Sequence, residues 1–268
     1  MTNRFSYVSS ISCEDIFTDE VKELLIHLHD KFLSELDEIR KIRIENQALA
    51  RSGRKLGHLE KSEANGEWSV EDLPEELREP GIEISGPAGL TSMLINALNP
   101  GPNGVRAEGD LDDDEDAAGH TLEDTIYATR NRMNATLGKL EYKNPDTGKE
   151  YKLQPGKIPF FMHRERGLHL DEPQVCIDGR PISATILGTT LTLLFGGRAQ
   201  HKKGESVYFY IPKTESKREA KFYNNLFSEI RSYVNDLRDI NIKAIILIES
   251  LPAVYQMEEL LFELGEYA

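Results

Sequence analysis

The chain reads as an α/β protein built on a parallel sheet of about five strands, and three observations carry that expectation. Short apolar, mostly β-branched or aromatic runs recur at Ile82 to Ser85, around Val105, at Pro159 to His163, at Val207 to Ile211 and at Ala244 to Glu249. Helix-length amphipathic segments separate them, the pattern of right-handed βαβ crossovers. The last run stays apolar until it stops on a carboxylate. An acid at the carboxyl end of a buried parallel strand stands where α/β barrels gather metal ligands and catalytic groups.

Length and charge limit the function classes. At 268 residues with 39% hydrophobic content, the chain has enough apolar side chains to bury a real core. Lys plus Arg number 32 against 46 Asp plus Glu, a net charge of −14. That balance argues against nucleic-acid phosphates and anionic membranes as partners. Cys13 and Cys176 lie far apart with no metal-type spacing, which suits a reduced compartment and two structural thiols. No apolar run approaches the roughly 18 residues of a membrane helix. Met1 to Ser10 lacks the apolar core of a signal peptide, so a soluble intracellular protein is expected.

The elements follow in order. Thr18, Asp19 and Glu20 supply a capping hydroxyl and two acids ahead of Val21, Leu24, Leu25, Leu28, Phe32, Leu36 and Ile39, a long amphipathic helix running toward Ala50. From Ser52 to Glu79 the sequence turns polar, with Gly53, Gly57, Gly66 and Pro74, and Trp68 as its anchor; this is a connecting arm. A first unit over 1–79 and a second over 80–268 are therefore expected. In the second, helical patterns cover Leu90 to Leu98, Ile182 to Phe195, Lys217 to Leu237 and Pro252 to Glu266. NPDTGKEY, at Asn144 to Tyr151, suits a hairpin or a surface loop. Gly196-Gly197 closes the third helical pattern, at a cost of about 1 to 2 kcal/mol if the helix runs through them.

Several side chains have chemistry to offer. Arg164 follows an apolar strand and precedes Gly167, so its guanidinium can clamp a carboxylate and stabilise a developing oxyanion, or form a surface ion pair. Arg166, two residues on, points the same way in strand geometry, and spacing does not choose between them. His163 and His169 read as satisfied structural groups. Asp110, Asp112, Asp113, Asp114, Glu115 and Asp116 form an acidic run. Packed carboxylates repel unless a cation intervenes, and Mg²⁺ suits oxygen-only ligands, but the run as a whole reads as a solvated loop because it lacks calcium-loop spacing.

Six collinear blocks carry a resemblance: WSVEDLPEELREPGIEISGP (Trp68 to Pro87), MLINALN (Met93 to Asn99), NPDTGKEY (Asn144 to Tyr151), RERGLHLDE (Arg164 to Glu172), YFYIPKTES (Tyr208 to Ser216) and IKAIILIESLPAVYQMEEL (Ile242 to Leu260). In these the chain resembles malate synthases of the shorter, A-type form. The resemblance implies a TIM (β/α)8 barrel with an N-terminal helical clasp and a C-terminal helical domain. It implies an acyltransferase of the glyoxylate bypass, beside the tricarboxylic acid cycle, that condenses acetyl-CoA with glyoxylate and hydrolyses the thioester to malate and CoA, with Mg²⁺ as cofactor.

Residue by residue, the family's glyoxylate-polarising arginine falls on Arg164, and the Mg²⁺-ligating glutamate of its L-I-E-[ST] strand end falls on Glu249. The family's A-D-F-E-D strand end, which supports the metal's waters, is similar to Gly109 to Asp113, implicating Asp110, Asp112 and Asp113, with Phe replaced by Leu and Glu by Asp. The second carboxylate ligand of the family, in G-L-N-x-G-x-W-D-Y, and its aspartate base belong to segments absent from this sequence. Ile82 to Ala268 is also shorter than the roughly 250 residues of a full barrel. The expectation is thus a truncated chain holding a partial TIM barrel of about five strand-helix units behind the clasp. Its partners would be acetyl-CoA and glyoxylate, with a complementing C-terminal chain or self-association through the open barrel edge. The location implied is cytoplasmic, or peroxisomal or glyoxysomal in a eukaryote. The alternatives are a non-catalytic paralogue binding through the half-site and a Mg²⁺-dependent acyl-CoA lyase-type barrel.

Overall fold

Residues 4–78 and 81–268 are described by a computed structural model. In chain order its elements are β1 (Phe5–Tyr7), α1 (Asp19–Arg51), β2 (Glu83–Gly86), α2 (Thr91–Leu98), β3 (Gly109–Asp113), α3 (Leu122–Thr136), β4 (Glu141–Lys143), β5 (Glu150–Lys152) and β6 (Phe160–Arg164). There follow β7 (Asp171–Ile177), β8 (Arg180–Ser183), α4 (Ala184–Thr192), α5 (Arg198–Lys202), β9 (Val207–Ile211), α6 (Lys217–Tyr233), β10 (Ile242–Ile246), α7 (Leu251–Val254) and α8 (Met257–Leu264).

The central sheet has five parallel strands in the order β2-β3-β6-β9-β10, so each βαβ crossover lands beside the strand it left. Such an order curls into the arc of a barrel. The arc is open, with β2 and β10 as its edges. A small antiparallel sheet, β1-β7-β8, lies apart from it, as does the β4-β5 hairpin. Among the described residues no helix is long and apolar enough to cross a membrane.

Periodicity explains the helices. Thr18 caps α1 by accepting from the Val21 amide, and the stripe Val21, Leu24, Leu25, Leu28, Phe32, Leu36 and Ile39 is buried against α4 and α6. In α6, Phe222, Leu226, Phe227 and Ile230 form the inward face; Phe227 stacks on Phe209 of β9 at 4.9 Å and Phe222 meets Phe32 edge-on at 5.2 Å. The hairpin forms where NPDTGKEY promised a turn: Asn144 Oδ1 accepts from the amides of Asp146 and Thr147, and Gly148 takes a φ of 69°.

Several expectations need correction. Val105 is 61% exposed in a loop, and the strand lies four residues later at Gly109–Asp113. Its composition, GDLDD, is poor in strand formers, and burial between two neighbouring strands overrides propensity. The strand expected at Ala244 to Glu249 pairs over Ile242–Ile246, so Glu249 sits on the loop beyond it. The helix expected over Pro252 to Glu266 is broken at Tyr255 and Gln256 into α7 and α8. The strands β1, β7 and β8 were not foreseen. The boundary expected between 79 and 80 lies outside the described residues.

The helix that begins as α4 does continue through the paired glycines, as a π-helical turn over Leu193–Gly197 leading into α5. A Cβ on Gly196 would lie 3.2 Å from Arg132 Cβ, and one on Gly197 would lie 3.3 Å from the Thr192 carbonyl. Close approach to α3 offsets the propensity loss.

The polar arm anchors as expected of Trp68, whose indole N–H donates to the Ala64 carbonyl at 2.8 Å while its ring meets Phe262 at 5.7 Å. Farther along the arm, Glu76 accepts from the Tyr208 hydroxyl at 2.6 Å and Glu71 pairs with Lys243 at 3.1 Å. Tyr208 and Lys243 are at the starts of β9 and β10, so the arm covers the amino ends of these strands and leaves their carboxyl ends to other residues.

Candidate active site at the carboxyl ends of the strands

Strand alternation sorts the acidic and basic residues onto two faces. Phe161 and His163 of β6, with Asp110 and Asp112 of β3 and Phe209 of β9, face the helices. Arg164 and Asp113, paired in register, face the concave side.

On the helix side a charge network is buried. Arg132, from α3, is 1% exposed and bridges Asp112 (2.8 Å), Asp114 (2.9 Å) and Glu165 (3.1 Å). Burial works against its charge, yet the three carboxylates hold its pKa well above the ordinary value. His163 Nδ1 lies 2.7 Å from Asp112 and its Nε2 lies 3.2 Å from Gln200. Asp114 is pushed up strongly by burial in spite of Arg132. Asp110, 1% exposed, has no hydrogen-bond partner for either oxygen among the described residues, and burial followed by the repulsion of Asp112 pushes it up to about 8. Its carboxyl opens on a cavity of about 300 Å³ walled by Ile84, Pro87, Met93, Leu94 and Ala97.

On the concave side Arg164 is the hub, 7% exposed. Its Nη1 is 3.2 Å from Asp113, and its Nη2 is 3.1 Å from Glu115, 2.5 Å from Asp116 and 3.9 Å from Glu249 Oε1. Glu249 is gripped in turn by Lys213, whose amide donates to Oε1 at 2.7 Å and whose Nζ is 3.0 Å from Oε2. Lys213 Nζ is also 3.3 Å from Asp116. Gly167 lets the loop after β6 come close: a Cβ there would stand 2.9 Å from His169 Nδ1 and 3.3 Å from Glu115 Oε1. Beside Lys213 a groove of about 450 Å³, lined by Arg40, Arg43, Gln47, His169 and Glu215, opens between α1 and the strand ends.

The local electrostatics follow from these contacts. Burial raises Glu115, with Arg164 and Lys213 pulling the other way. Burial would also raise Asp116, but the hydrogen bond and charge of Arg164, joined by Lys213, hold it below the usual carboxylate range. The Glu249 hydrogen bond raises Lys213, and burial lowers His169.

Arg164 and Glu249 therefore lie together, one at the end of β6 and the other on the loop beyond β10. Asp113 joins them. Asp110 and Asp112 do not, because both project from the opposite face of β3, where Asp112 is taken up by Arg132 and His163. Arg166 is likewise diverted, pairing with Glu172 at 2.7 Å and donating to Thr125, which separates it from Arg164. The acidic run as a whole is not a solvated loop: Asp110, Asp112, Asp113, Asp114 and Glu115 are each at most 5% exposed, and of the six Asp116 alone is open to solvent. Sequence reasoning passed over Lys213, although it follows the end of β9 directly after Pro212. It also missed Arg132, whose signal was a lone cation among Thr125, Ala128, Thr129 and Thr136 on the buried face of α3.

Whether Mg²⁺ suits these residues can be judged from the donor set. Four carboxylates (Asp113, Glu115, Asp116, Glu249) face two cations (Arg164, Lys213), leaving two negative charges that one divalent ion would balance. One oxygen of Glu115 is buried with no hydrogen-bond partner. Among the described residues no three acidic, histidine or cysteine side chains converge as a ready cage. Mg²⁺ requires only one or two carboxylates and completes its octahedron with water and substrate, and Glu249 is the carboxylate that could hold it.

Residues 160–268, which begin with β6 and contain both Arg164 and Glu249, match the family model described as malate synthase, TIM barrel domain. Malate synthase A of Escherichia coli is 32% identical over 256 residues, 95% of this chain and 46% of the relative. The chain belongs to the malate synthase family. Its five-stranded arc is accordingly a partial TIM barrel. The malate synthase of Myxococcus xanthus is 37% identical over 208 residues, 78% of this chain and 37% of that protein. A glyoxysomal malate synthase of Zea mays is 32% identical over 76% of the chain and 36% of its own length. The chain thus spans less than half the length of these family members.

Proposed function

We propose that the chain carries the keto-acid half of a malate synthase site, acting in the Mg²⁺-dependent condensation of acetyl-CoA with glyoxylate and the hydrolysis that releases malate and CoA. The observation that supports it is the 3.9 Å approach of Arg164 to Glu249 at one end of the sheet. A small two-carbon acid is the size of ligand that two such groups can share.

In this reading Arg164 donates to the aldehyde oxygen of glyoxylate and strengthens that hydrogen bond as the oxygen gains charge. Asp113, Glu115 and Asp116 hold the guanidinium in place, and Glu249 is the carboxylate that would hold the metal. Mg²⁺, when bound, would serve as a Lewis acid toward the substrate oxygens. The attacking carbon is the methyl carbon of acetyl-CoA after a base removes its proton; the new carbon–carbon bond turns the aldehyde oxygen into an alkoxide, which takes up a proton. Water then cleaves the thioester. The base is proposed to come from the family segment that carries it, supplied in the same protein or by a complementing chain pairing with the free edges of β2 or β10. The proposed location is the cytoplasm, or the peroxisome or glyoxysome in a eukaryote.

CoA release from acetyl-CoA and glyoxylate is the test, with this chain alone and with a separately supplied C-terminal portion of a malate synthase. Release in the mixture is expected; none in either arm rejects the catalytic reading. Binding of Mg²⁺ and glyoxylate at Arg164 and Glu249 without turnover is the second reading, supported by the same approach of these two groups. Calorimetry with Mg²⁺ and glyoxylate should give heat for wild type and none for Glu249→Ala, and silent traces from both would dismiss it.

A further inference from the structure

We infer that Lys213 is a tethered counter-cation that competes with a divalent ion for Glu249 and so sets the metal affinity of the site. The inference rests on the reading of Glu249 as a metal ligand. It begins with the backbone: Lys213 has a φ of 54°, one of three positive values among the described non-glycine residues. An L side chain adopts that conformation at a cost, so the surrounding contacts must hold it there.

The contacts are specific. The left-handed turn after β9 aims both the amide and the side chain of Lys213 at one carboxylate. The amide donates to Glu249 Oε1 at 2.7 Å and Nζ donates to Oε2 at 3.0 Å, so a single residue engages both oxygens. A second acceptor lies within reach, because Nζ is 3.3 Å from Asp116 Oδ2, which is itself held by Arg164 at 2.5 Å. The lysine side chain is 34% exposed and can move between the two acids with little loss of packing.

A dication on Glu249 would stand within a few ångströms of the ammonium, where like charges repel strongly at the dielectric of a partly buried site. Asp116 gives the ammonium a place to retreat. Counting Arg164 and Lys213, the cluster of four concave-side acids carries a net charge of minus two; without Lys213 it carries minus three and attracts a cation more strongly. Lys213 therefore weakens metal binding while keeping Glu249 oriented and ion-paired.

The experiment is a calorimetric titration of the purified chain with MgCl2, comparing wild type, Lys213→Met, Lys213→Arg and Glu249→Ala, with thermal unfolding of each as a check on folding. Lys213→Met should bind Mg²⁺ about tenfold more tightly, Lys213→Arg should resemble wild type, and the gap should narrow at high salt. Lys213→Gln is read in its place if the methionine variant does not fold. Unchanged or weaker Mg²⁺ binding by the neutral variant, with wild-type heat abolished by Glu249→Ala, overturns the role of Lys213 and leaves the ligand reading standing. Folded wild-type and neutral-variant chains that both bind no Mg²⁺ overturn the two together.

Discussion

Asp110 is a buried acid with no hydrogen-bond partner among the described residues, and its pKa, pushed up to about 8, makes it a source of pH-dependent stability. Between the ordinary carboxylate range and about pH 8 the unfolded chain has lost this proton while the folded chain keeps it. The native state then binds more protons than the unfolded one, so stability falls as pH rises through that window. Asp110→Asn removes the titration: it should be roughly 2 to 4 kcal/mol more stable than wild type at pH 8 and close to it at pH 4, in denaturant unfolding at the two pH values. Equal differences at both would show that Asp110 ionises freely in the fold. The contrast with Asp113 also marks how far individual residues were legible. Arg164 and Glu249 could be placed near strand ends because apolar runs stop at them. The faces of Asp110, Asp112 and Asp113 could not, since the strand expected around Val105 stops short of all three acids, which the strand at Gly109–Asp113 contains. Arg166 went the same way: its partner Glu172 lies near the start of β7, a strand the sequence did not announce.

At the scale of elements, α4 is fitted to the loop after β6 as closely as its continuation is to α3. Gly188 faces Glu165, and a Cβ there would overlap the carboxylate that accepts from Thr192 and pairs with Arg132. Gly188→Ala should therefore cost about 1 to 3 kcal/mol although alanine is the better helix former, and a stability gain in thermal unfolding would contradict the packing described. Helices α1 and α6 were readable because each buries one stripe at a period near 3.6, whereas α3 was not foreseen, its buried face being largely Thr, Asn and Arg. The turn of the β4-β5 hairpin was readable from its Asn and Gly chemistry. Strand β3 was not, because its acids are accommodated by Arg132, His163 and Arg164, which arrive from α3 and β6. Local propensity carries no information about partners that distant in sequence.

For the whole molecule, alternation of strands with helix-length segments was enough to indicate a parallel sheet of five strands, and the observed order keeps sequence neighbours side by side. The small antiparallel sheet escaped because β1 and β8 have three and four residues, too short for a period to register. Long-range packing also divides α1. Its buried stripe ends at Ile39, whereas the helix runs on to Arg51 with Ile44 69% and Leu49 40% exposed. Native-state deuterium uptake should follow that division: amides before Ile39 should open only with the core, and those beyond Gln47 should exchange by local fraying. Uniform protection along the helix would contradict it. Arg43 stands at the changeover, holding Glu219 and the Lys213 carbonyl. Breathing of the outer turns is thereby hinged at a residue that touches the loop bearing Lys213, so whatever quiets the tip of this rod also steadies the mouth beneath it.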